Sequence, residues 1–525
     1  MSGYRVEQDD RHAAAGFAAP LARAPEHGVP ARQQAQEDWG DADRQHAAAM
    51  AEAQHRRRQE EAARRPAAVP GQTVEYGVVL FDNRIPGPGW ACRHGRGAQR
   101  VSSVAELGTG AIWWTNIEYD VMRDHGLSEN PWLRHAGYLR SSLLAILDDW
   151  GFHEKPAAEL APILAECFTR IMRWSSMLLR ESRFEDSGLA GDLAKLFPKP
   201  ETPPADAAPA IQHSVQDWTR TQLKRPDHTE LVTLRLPRMG HAFSVLSTPV
   251  PLGPWEWLDG AALPGGGTEK QMEWIARQQR PVLARMNITG LKAGTPPMYA
   301  NILAFGAGAR DRKTNTAIRR AFVTQPELIA IASMFEIEID GLWMGSAFSH
   351  LLPEGGPLDM LFRNAAATAS WSLGVLAENC VAAAKKSPRE RRRGSGEPPI
   401  SFRSAWLTAA DRMACFIASC RLYDRGHVPI SYSMGSIKVA VYETKLVDLV
   451  KDGFRLGLVP AFDITTRPDF PRLTPPVKAW GGGPEGLPEA ILRVSGKWDH
   501  LRQLDALPDM PPEEASRLVR TLMSN

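Results

Sequence analysis

The fold of this chain is best predicted from residues 406–442, which read WLTAADRMACFIASCRLYDRGHVPISYSMGSIKVAVY. This stretch predicts a helix, a loop and then a β-hairpin whose tip is Ser433, Met434, Gly435 and Ser436. The tip carries no acidic residue, whereas a pair of catalytic divalent cations needs anionic oxygen ligands. The hairpin therefore indicates a structural scaffold rather than a metal-dependent active site.

Length and composition are those of a globular protein with two or three domains. The 525 residues are 43% hydrophobic and 23% charged, and the net charge is +2. A nearly neutral chain is not coated with basic groups, so local patches would have to carry any contact with nucleic acid. The five cysteines show neither a CxxC pair nor zinc-ligand spacing, so we expect no zinc site and no disulfide framework.

The sequence gives no indication of export or of a membrane segment. The first ten residues, MSGYRVEQDD, have acidic residues where a secretory signal is basic and then apolar. Residues 365–384 are rich in alanine and serine and include Glu378 and Asn379, which suits a buried helix better than a bilayer span. We expect a cytoplasmic protein with no membrane partner.

Changes in composition divide the chain into three parts and predict an α+β fold. Residues 1–72 form an Ala/Arg/Glu-rich tail, disordered or helical, that could dock on a protein partner. A first domain, residues 73–197, opens with the strand-like TVEYGVVLFD, continues with AIWWTNIEYDVM and includes a helix over 157–179. The proline-rich segment 197–209 predicts a linker. In the second domain, residues 211–525, we expect strands over 230–236 and 242–247.

Several segments of the second domain, in order, are similar to motifs of family B DNA polymerases of the protein-primed phage and plasmid type. The segment NITGLKA (287–293) resembles Asp-Ile-x-Ser/Gly-Leu-Tyr-Pro with Asn287 in place of the aspartate. Residues 321–348 resemble a palm segment of a helix followed by a strand, and NCVAA (379–383) resembles part of the fingers motif. Met434 and Ser436 stand at the two aspartates of the hairpin motif, and 495–501, SGKWDHL, resembles a segment near the thumb.

The resemblance implies an RNase H-like exonuclease-type domain followed by a polymerase-like module of palm, fingers and thumb. It implies that Asn287 and Met434 face each other across one cleft, with the catalytic carboxylates lost at Asn287, Met434 and Ser436. In the first domain, Asp82 and Asp120 stand at the aspartates of two exonuclease motifs. They are the candidate ligands for one metal ion, and surface or helix-capping roles are the alternative.

Two basic segments of the second domain are candidates for contact with phosphate. Residues 385–399 read KKSPRERRRGSGEPP, and a second basic stretch covers 310–320. The alternative for both is a solubilising loop. The candidate nucleic-acid-binding residues are Lys385, Lys386, Arg389, Arg391, Arg392, Arg393, Arg312 and Lys313.

These observations predict a nucleic-acid-binding protein with a catalytically inactive polymerase-like fold, with DNA or RNA as partner and no cofactor. The resemblance implies a role in the replication, transfer or defence of a mobile element of a bacterium or phage. One alternative is an active Mg²⁺-dependent polymerase or nuclease whose site is rebuilt from acids such as Glu338, Asp340, Asp359 or Asp411. Another alternative is a structural or assembly protein that does not bind nucleic acid.

Overall fold

A computed structural model describes residues 74–139, 156–180, 188–215, 220–303, 318–363, 371–386 and 401–460. All of these residues belong to one compact unit, Thr73–Asn525. The predictions made for the tail, for 495–501 and for the basic residues at 312–313 and 389–393 lie outside the described residues. Within the described ranges, no helix combines the length and the apolar character needed to cross a bilayer.

The described residues form a mixed α+β structure, as predicted. The strands are β1 (Glu75–Phe81), β2 (Gly89–Arg93), β3 (Gln99–Val101), β4 (Ala111–Thr115), β5 (Leu133–Arg134), β6 (Glu230–Arg235), β7 (Val250–Leu252), β8 (Glu256–Asp259), β9 (Val282–Leu291), β10 (Ile318–Thr324), β11 (Phe335–Met344), β12 (Ala347–Ser349), β13 (Val428–Ser433), β14 (Ser436–Val441) and β15 (Val459–Pro460).

Helices connect the strands and pack on the sheets. They are α1 (Tyr119–Asp124), α2 (Ala157–Leu179), α3 (Leu189–Leu193), α4 (Ala208–Val215), α5 (Arg238–Ser247), α6 (Thr268–Gln278), α7 (Tyr299–Ile302), α8 (Gln325–Met334), α9 (Pro357–Arg363), α10 (Trp371–Lys385), α11 (Phe402–Asp424) and α12 (Leu446–Arg455).

The first sheet has the strand order β3-β2-β1-β4-β5. Strand β1 is antiparallel to β2 and parallel to β4, and β4 is parallel to β5. Helix α2 packs on one face, where its Phe168 lies 4.8 Å from the Trp114 ring centroid. The same core includes Met239 of α5 and Leu376 of α10. One hydrophobic core therefore includes residues from both sides of the proline-rich segment 197–209. The division into two domains at this segment stays a prediction.

The second sheet is antiparallel, with the order β10-β9-β11-β8. Its inner face is apolar because every second residue of β9 and β11, such as Met286, Ile288 and Ile337, is buried. Helix α8 connects β10 to β11 and starts with a capping box between Thr324 and Glu327, with proline in its first turn.

The third sheet contains the predicted hairpin and has the order β13-β14-β6-β15. Helix α11 packs behind it and starts at Ser401, whose hydroxyl accepts the Ser404 N–H at 3.1 Å. Strands β7 and β12 form a small two-stranded sheet, and Arg220 forms an isolated antiparallel bridge to Ser431 of β13.

Most elements predicted from the sequence are confirmed, with one correction. The structure contains the strand that opens the first domain, the strand and helix within 111–122 and the helix over 157–179. It also contains α8 followed by β11, and the hairpin. The strand expected over 242–247 is wrong, because Arg238–Ser247 is a helix. Its buried residues Met239, Ala242, Val245 and Leu246 are spaced three, three and one apart, which is a helical pattern. The six residues 242–247 alone are too few to show that pattern.

Candidate nucleic-acid interface

The hairpin tip lies beside the end of β6. Ser436, the first residue of β14, pairs with Arg235, the last residue of β6, and Ile437 pairs with Leu234. The backbone N–H of Leu236 donates to the carbonyl of Gly435 at 2.7 Å, which continues the contact past the strand ends. The chain then enters α5, so the first residues of that helix lie at the tip.

Asp411 of α11 is the centre of a buried polar cluster under the tip. Its Oδ1 accepts the backbone N–H of Gly435 at 3.0 Å and lies 2.9 Å from Nε2 of His241. Its Oδ2 lies 3.1 Å from the Lys385 ammonium. The Asp411 side chain is 7% exposed, so these partners take the place of water around the carboxylate.

These contacts keep Asp411 ionised. Burial raises the pKa of the Asp411 carboxyl, but the charge of Lys385 and the hydrogen bond from His241 outweigh burial and hold that pKa well below its usual range. A carboxylate held by a cation, an imidazole and a backbone N–H has little capacity left for a metal ion.

Glu378 of α10 forms a second ion-pair cluster at the same place. Its Oε1 accepts hydrogen bonds from Nη2 of Arg235 at 2.6 Å and from Nε of Arg238 at 3.1 Å. All three side chains are at most 16% exposed. The acids beside the hairpin tip are thus each neutralised by neighbouring cations, and the cations Arg235, Arg238 and Lys385 outnumber the two carboxylates.

The outer face of the hairpin sheet is polar. Residues that pair directly across strands share a face, so Thr233 and Arg235 of β6 lie beside Lys438 and Ser436 of β14, and Ser431 of β13 follows next to Lys438. The opposite face is buried and includes Val232, Leu234, Ile437 and Val439. We call the six polar residues on this side, Thr233, Arg235, Ser431, Ser433, Ser436 and Lys438, the hydroxyl-cation face.

Asn287 does not lie beside the hairpin. It is on β9 of the second sheet, where it pairs with Glu338 of β11, whereas Met434 is at the tip of the third sheet. Asn287 and Met434 therefore lie on different sheets, and their placement across one cleft stays a prediction. Strand β6, rather than β9, is the neighbour of β14 in the hairpin sheet, where the buried residues Val232 and Leu234 pair with Val439 and Ile437.

The other two positions predicted for lost carboxylates do lie at the hairpin tip. Met434 is 43% exposed and has φ 46°, a left-handed conformation at the turn. Ser436 follows it on the hydroxyl-cation face. Neither residue type offers an anionic oxygen, as the sequence already indicated.

Of the predicted nucleic-acid-binding residues, Lys385 and Lys386 are described. Lys385 ends α10 and contacts Asp411, and both lysines line a cavity of about 510 Å³. The remaining candidates, Arg389, Arg391, Arg392, Arg393, Arg312 and Lys313, lie outside the described residues.

The two candidate metal ligands of the first domain follow neighbouring parallel strands. Asp82 comes directly after β1. Asn116, directly after β4, accepts the Phe81 N–H at 2.8 Å and donates to the Phe81 carbonyl at 2.9 Å, which joins the ends of the two strands. Asp82 pairs with Arg100 through both carboxylate oxygens, which lowers its pKa. Asp120 is 3.1 Å from Arg123 and its side chain is 79% exposed. Each aspartate therefore already has an arginine partner.

The acids of the alternative enzyme hypothesis are spread over three elements. Glu338 and Asp340 are on β11, where Asp340 pairs with Arg285 at 2.9 Å, whereas Asp359 is on α9 and Asp411 on α11. Among the described residues, no three histidine, cysteine or acidic side chains are grouped so that they could hold a metal ion.

The sequence interpretation missed two sets of residues of the site. The ion-pair clusters contain Arg235, Arg238, His241 and Glu378, and the hydroxyl-cation face contains Thr233, Ser431, Ser433 and Lys438. The signal for Arg235, Arg238 and His241 is the segment LRLPRMGHAF (234–243), in which one arginine ends a strand and a second arginine and a histidine follow within six residues. A strand over 242–247 would make this segment a connecting turn. The wrong strand prediction therefore gave no reason to place these charged residues together.

Comparison with known proteins gives matches among solved structures and none among family models or curated proteins. No protein-family model matches the chain, and no curated protein matches it by sequence. Among solved structures, Phi29 DNA polymerase complexed with primer-template DNA in the post-translocation binary complex is similar at 12% identity and TM-score 0.39. The same polymerase in its orthorhombic crystal form is similar at 11% identity and TM-score 0.38. Each comparison covers 70% of this chain and 80% of the polymerase chain.

Proposed function

We propose that this chain binds the phosphate backbone of a nucleic acid on its hydroxyl-cation face and does not transfer nucleotides. The observation that carries the proposal is the composition of that face: four hydroxyls and two cations on adjacent strands. Side chains of serine, threonine, arginine and lysine are the usual donors to phosphate oxygens in nucleic-acid complexes.

The environment of the face favours an anionic ligand. Lys438 is exposed, and Thr233, Ser431 and Ser436 are half-buried, so their donors are open to a ligand lying on the sheet. Arg235 is held in place by Glu378, which limits the side-chain entropy lost on binding. The phosphate backbone of an extended nucleic-acid strand then lies on the adjacent strands β6, β14 and β13.

The absence of catalysis is proposed from the residue types at the tip. Metal-assisted phosphoryl transfer uses carboxylates to place two cations about 4 Å apart. Met434 and Ser436 provide none, and the neighbouring carboxylates of Glu378 and Asp411 are held by Arg235, Arg238, Lys385 and His241. A metal ion would have to displace these cations from partly or fully buried sites, which is costly.

The first sheet supports an RNase H-like domain as the second part of the proposal. Its order β3-β2-β1-β4-β5 places β1 and β4, the strands before the two exonuclease-like motifs, side by side and parallel. Asp82 and Asp120 follow β1 and β4, but each is paired with an arginine, so we propose that nuclease activity is absent as well. A role in a mobile element and a protein partner for residues 1–72 rest on the family resemblance and composition alone.

Filter binding of the full chain tests the proposal. Labelled single-stranded DNA, duplex DNA and RNA are titrated between about 50 and about 200 mM salt, and we expect the logarithm of affinity to fall linearly with the logarithm of salt concentration. Lys438→Ala is expected to reduce the salt slope by about 1, the loss of one phosphate contact. Lys445→Ala is the matched control, because Lys445 is an exposed lysine outside the face. No retention at low salt, or an unchanged slope for Lys438→Ala, would contradict the proposed interface.

Primer extension and exonuclease assays with Mg²⁺ and Mn²⁺ test the catalytic part. We expect neither extension nor degradation above background. Extension that disappears in Asp340→Asn, or degradation that disappears in Asp82→Asn, would instead favour the active enzyme.

A further inference from the structure

A small cavity of about 120 Å³ lies between residues 198–201 of the proline-rich segment, the first turn of α11 and the sheet of β7 and β12. It shares no residue with the hydroxyl-cation face. Sites for drug-sized molecules measure roughly 300–1,000 Å³, so this cavity suits one functional group on a short body. The residues that decide its chemistry are Lys199, Glu201, Trp255, Leu351, Phe402 and Arg403.

Arg403, the second residue of α11, is a buried cation in the cavity wall. The residue is 6% exposed, and its guanidinium donates to the backbone carbonyls of Pro198 and Lys386. Its Nε is buried and has no acceptor among the described residues. No carboxylate of the described ranges pairs with it, and burial lowers the pKa of the guanidinium to about 10. A buried charge of this kind is unfavourable unless an anion pairs with it.

The start of α11 adds partial positive charge at the same place. The helix has 23 residues and begins after Ser401, whose hydroxyl accepts the Ser404 N–H. Other N–H groups of a first helical turn have no acceptor within the helix, and the helix dipole favours an anion beside them. Lys199 is an exposed lysine of the same lining. The helix end, Arg403 and Lys199 therefore all favour a negatively charged group.

The remaining lining decides what kind of anion fits. The Trp255 ring stacks on Phe402 at 3.4 Å between centroids, with 7° between the planes, and Leu351 is buried in the same wall. Glu201 is an exposed acid of the lining that accepts the Gly253 N–H, and its charge disfavours a second negative charge nearby. A carboxylate on a short apolar body meets both conditions. Phosphate has no apolar part and carries more than one charge at neutral pH.

We propose that this cavity binds a carboxylate with a short apolar body, the carboxylate on Nε of Arg403 and the body against Phe402 and Leu351. Arginine is the residue type that best pairs with carboxylates at buried sites. The ligand is a free organic acid or the C-terminal carboxylate of a polypeptide, since both present the same group. This inference does not depend on the nucleic-acid binding proposed above.

Ligand-observed NMR titration of the full chain with benzoate, benzamide and inorganic phosphate tests the proposal. Benzoate is expected to bind with a Kd of about 1 mM or below, an affinity within reach of a ligand of this size. Benzamide has nearly the same shape without the charge, and phosphate has the charge without the apolar body. Each of these two is expected to bind at least about tenfold more weakly than benzoate.

Two variants test the site from different sides. Arg403→Gln removes the cation and is expected to weaken benzoate binding at least about tenfold. Its matched control is Arg277→Gln, since Arg277 of α6 is 72% exposed. Because Arg403 also holds two backbone carbonyls, Ser349→Leu leaves it in place and fills the cavity from a half-buried position, which should abolish binding. Ser349→Ala keeps the cavity open and should retain most of the affinity. Urea denaturation checks that every variant is folded.

Two peptides of one sequence, one ending in a free carboxylate and one in an amide, separate the two sources when each competes with benzoate. Displacement of benzoate by the free acid alone assigns the cavity to a polypeptide C-terminus, and displacement by neither assigns it to a free organic acid. The proposal would be overturned by displacement with both peptides, by no benzoate binding, or by benzamide or phosphate binding as tightly as benzoate. Benzoate affinity unchanged in both Arg403→Gln and Ser349→Leu would overturn it as well.

Discussion

The carboxylate of Asp411 accepts the backbone N–H of Gly435 at 3.0 Å, which joins helix α11 to the hairpin tip. The same carboxylate contacts His241 and Lys385, so one buried acid connects α5, α10, α11 and the hairpin. The tip is therefore held by a polar cluster at the place where the family resemblance implies a metal site.

Removal of the Asp411 carboxylate should destabilise the fold. Asp411→Ala leaves the Gly435 N–H, His241 and Lys385 without their shared partner in a buried site, and we expect the free energy of unfolding to fall by about 3–5 kcal/mol. Urea denaturation measures the change. Asp448→Ala is the control, since the Asp448 side chain is 55% exposed and its ion pair with Lys445 should contribute less than about 1 kcal/mol. Equal losses in the two variants would argue against the connecting role of Asp411.

The hairpin tip should tolerate no side chain at Gly435. Gly435 has φ +71°, and a Cβ there would lie 2.8 Å from Cδ2 of His241. Gly435→Ala therefore combines a left-handed backbone with a steric clash, and the strain alone should cost about 1–3 kcal/mol. Gly426→Ala separates the two effects, because Gly426 has φ +85° with no atom near its Cβ position. We expect the larger loss of stability at Gly435; similar losses would mean that His241 moves aside freely.

The stability of the fold should depend on pH through Asp411. The pKa of this carboxyl is lowered on folding, so its contribution is present above the unfolded pKa of about 4 and is lost as pH falls below that value. Asp411→Asn cannot titrate, so its unfolding free energy should change less between pH 6 and pH 3 than that of the unmodified chain. Urea denaturation at several pH values gives both curves, and parallel curves would show that other carboxylates cause the acid dependence.

A second buried ion pair should couple α8 to α11. Nε of Arg412 donates to Oε1 of Glu327 at 2.6 Å, and its Nη2 donates to the Ser214 carbonyl at 2.8 Å. The Glu327 side chain is fully buried, and burial raises its pKa despite the arginine. Arg412→Met should destabilise the chain by about 3–5 kcal/mol, because it leaves a buried acid unpaired.

The double variant Glu327→Leu, Arg412→Met isolates the interaction between these two residues. It removes both charges, so its loss of stability should be smaller than the sum of the two single losses. Additive losses would show that Glu327 and Arg412 stabilise the fold independently.

Local elements were predictable because their signals lie within a few residues. Tyr76 to Phe81 form a buried apolar run, and Thr324 and Glu327 form a capping box that starts a helix. The absence of carboxylates at positions 434 and 436 follows from the residue types alone, which are Met434 and Ser436. The helix of residues 238–247 was missed because a short apolar run fits a strand or a helix equally well, and its packing on α10 decides between them.

By itself, the sequence determined the mixed α+β class, the hairpin and the chemistry that its tip lacks. Only the tertiary structure decided that β6, rather than the strand of Asn287, lies beside that hairpin, and that Arg235, His241, Glu378 and Asp411 meet under it. The physical reason is that residues some 200 positions apart come together through the pairing of buried faces, here Leu234 with Ile437 and Val232 with Val439. Many strands carry such an apolar face, so the local pattern cannot specify which strands pair.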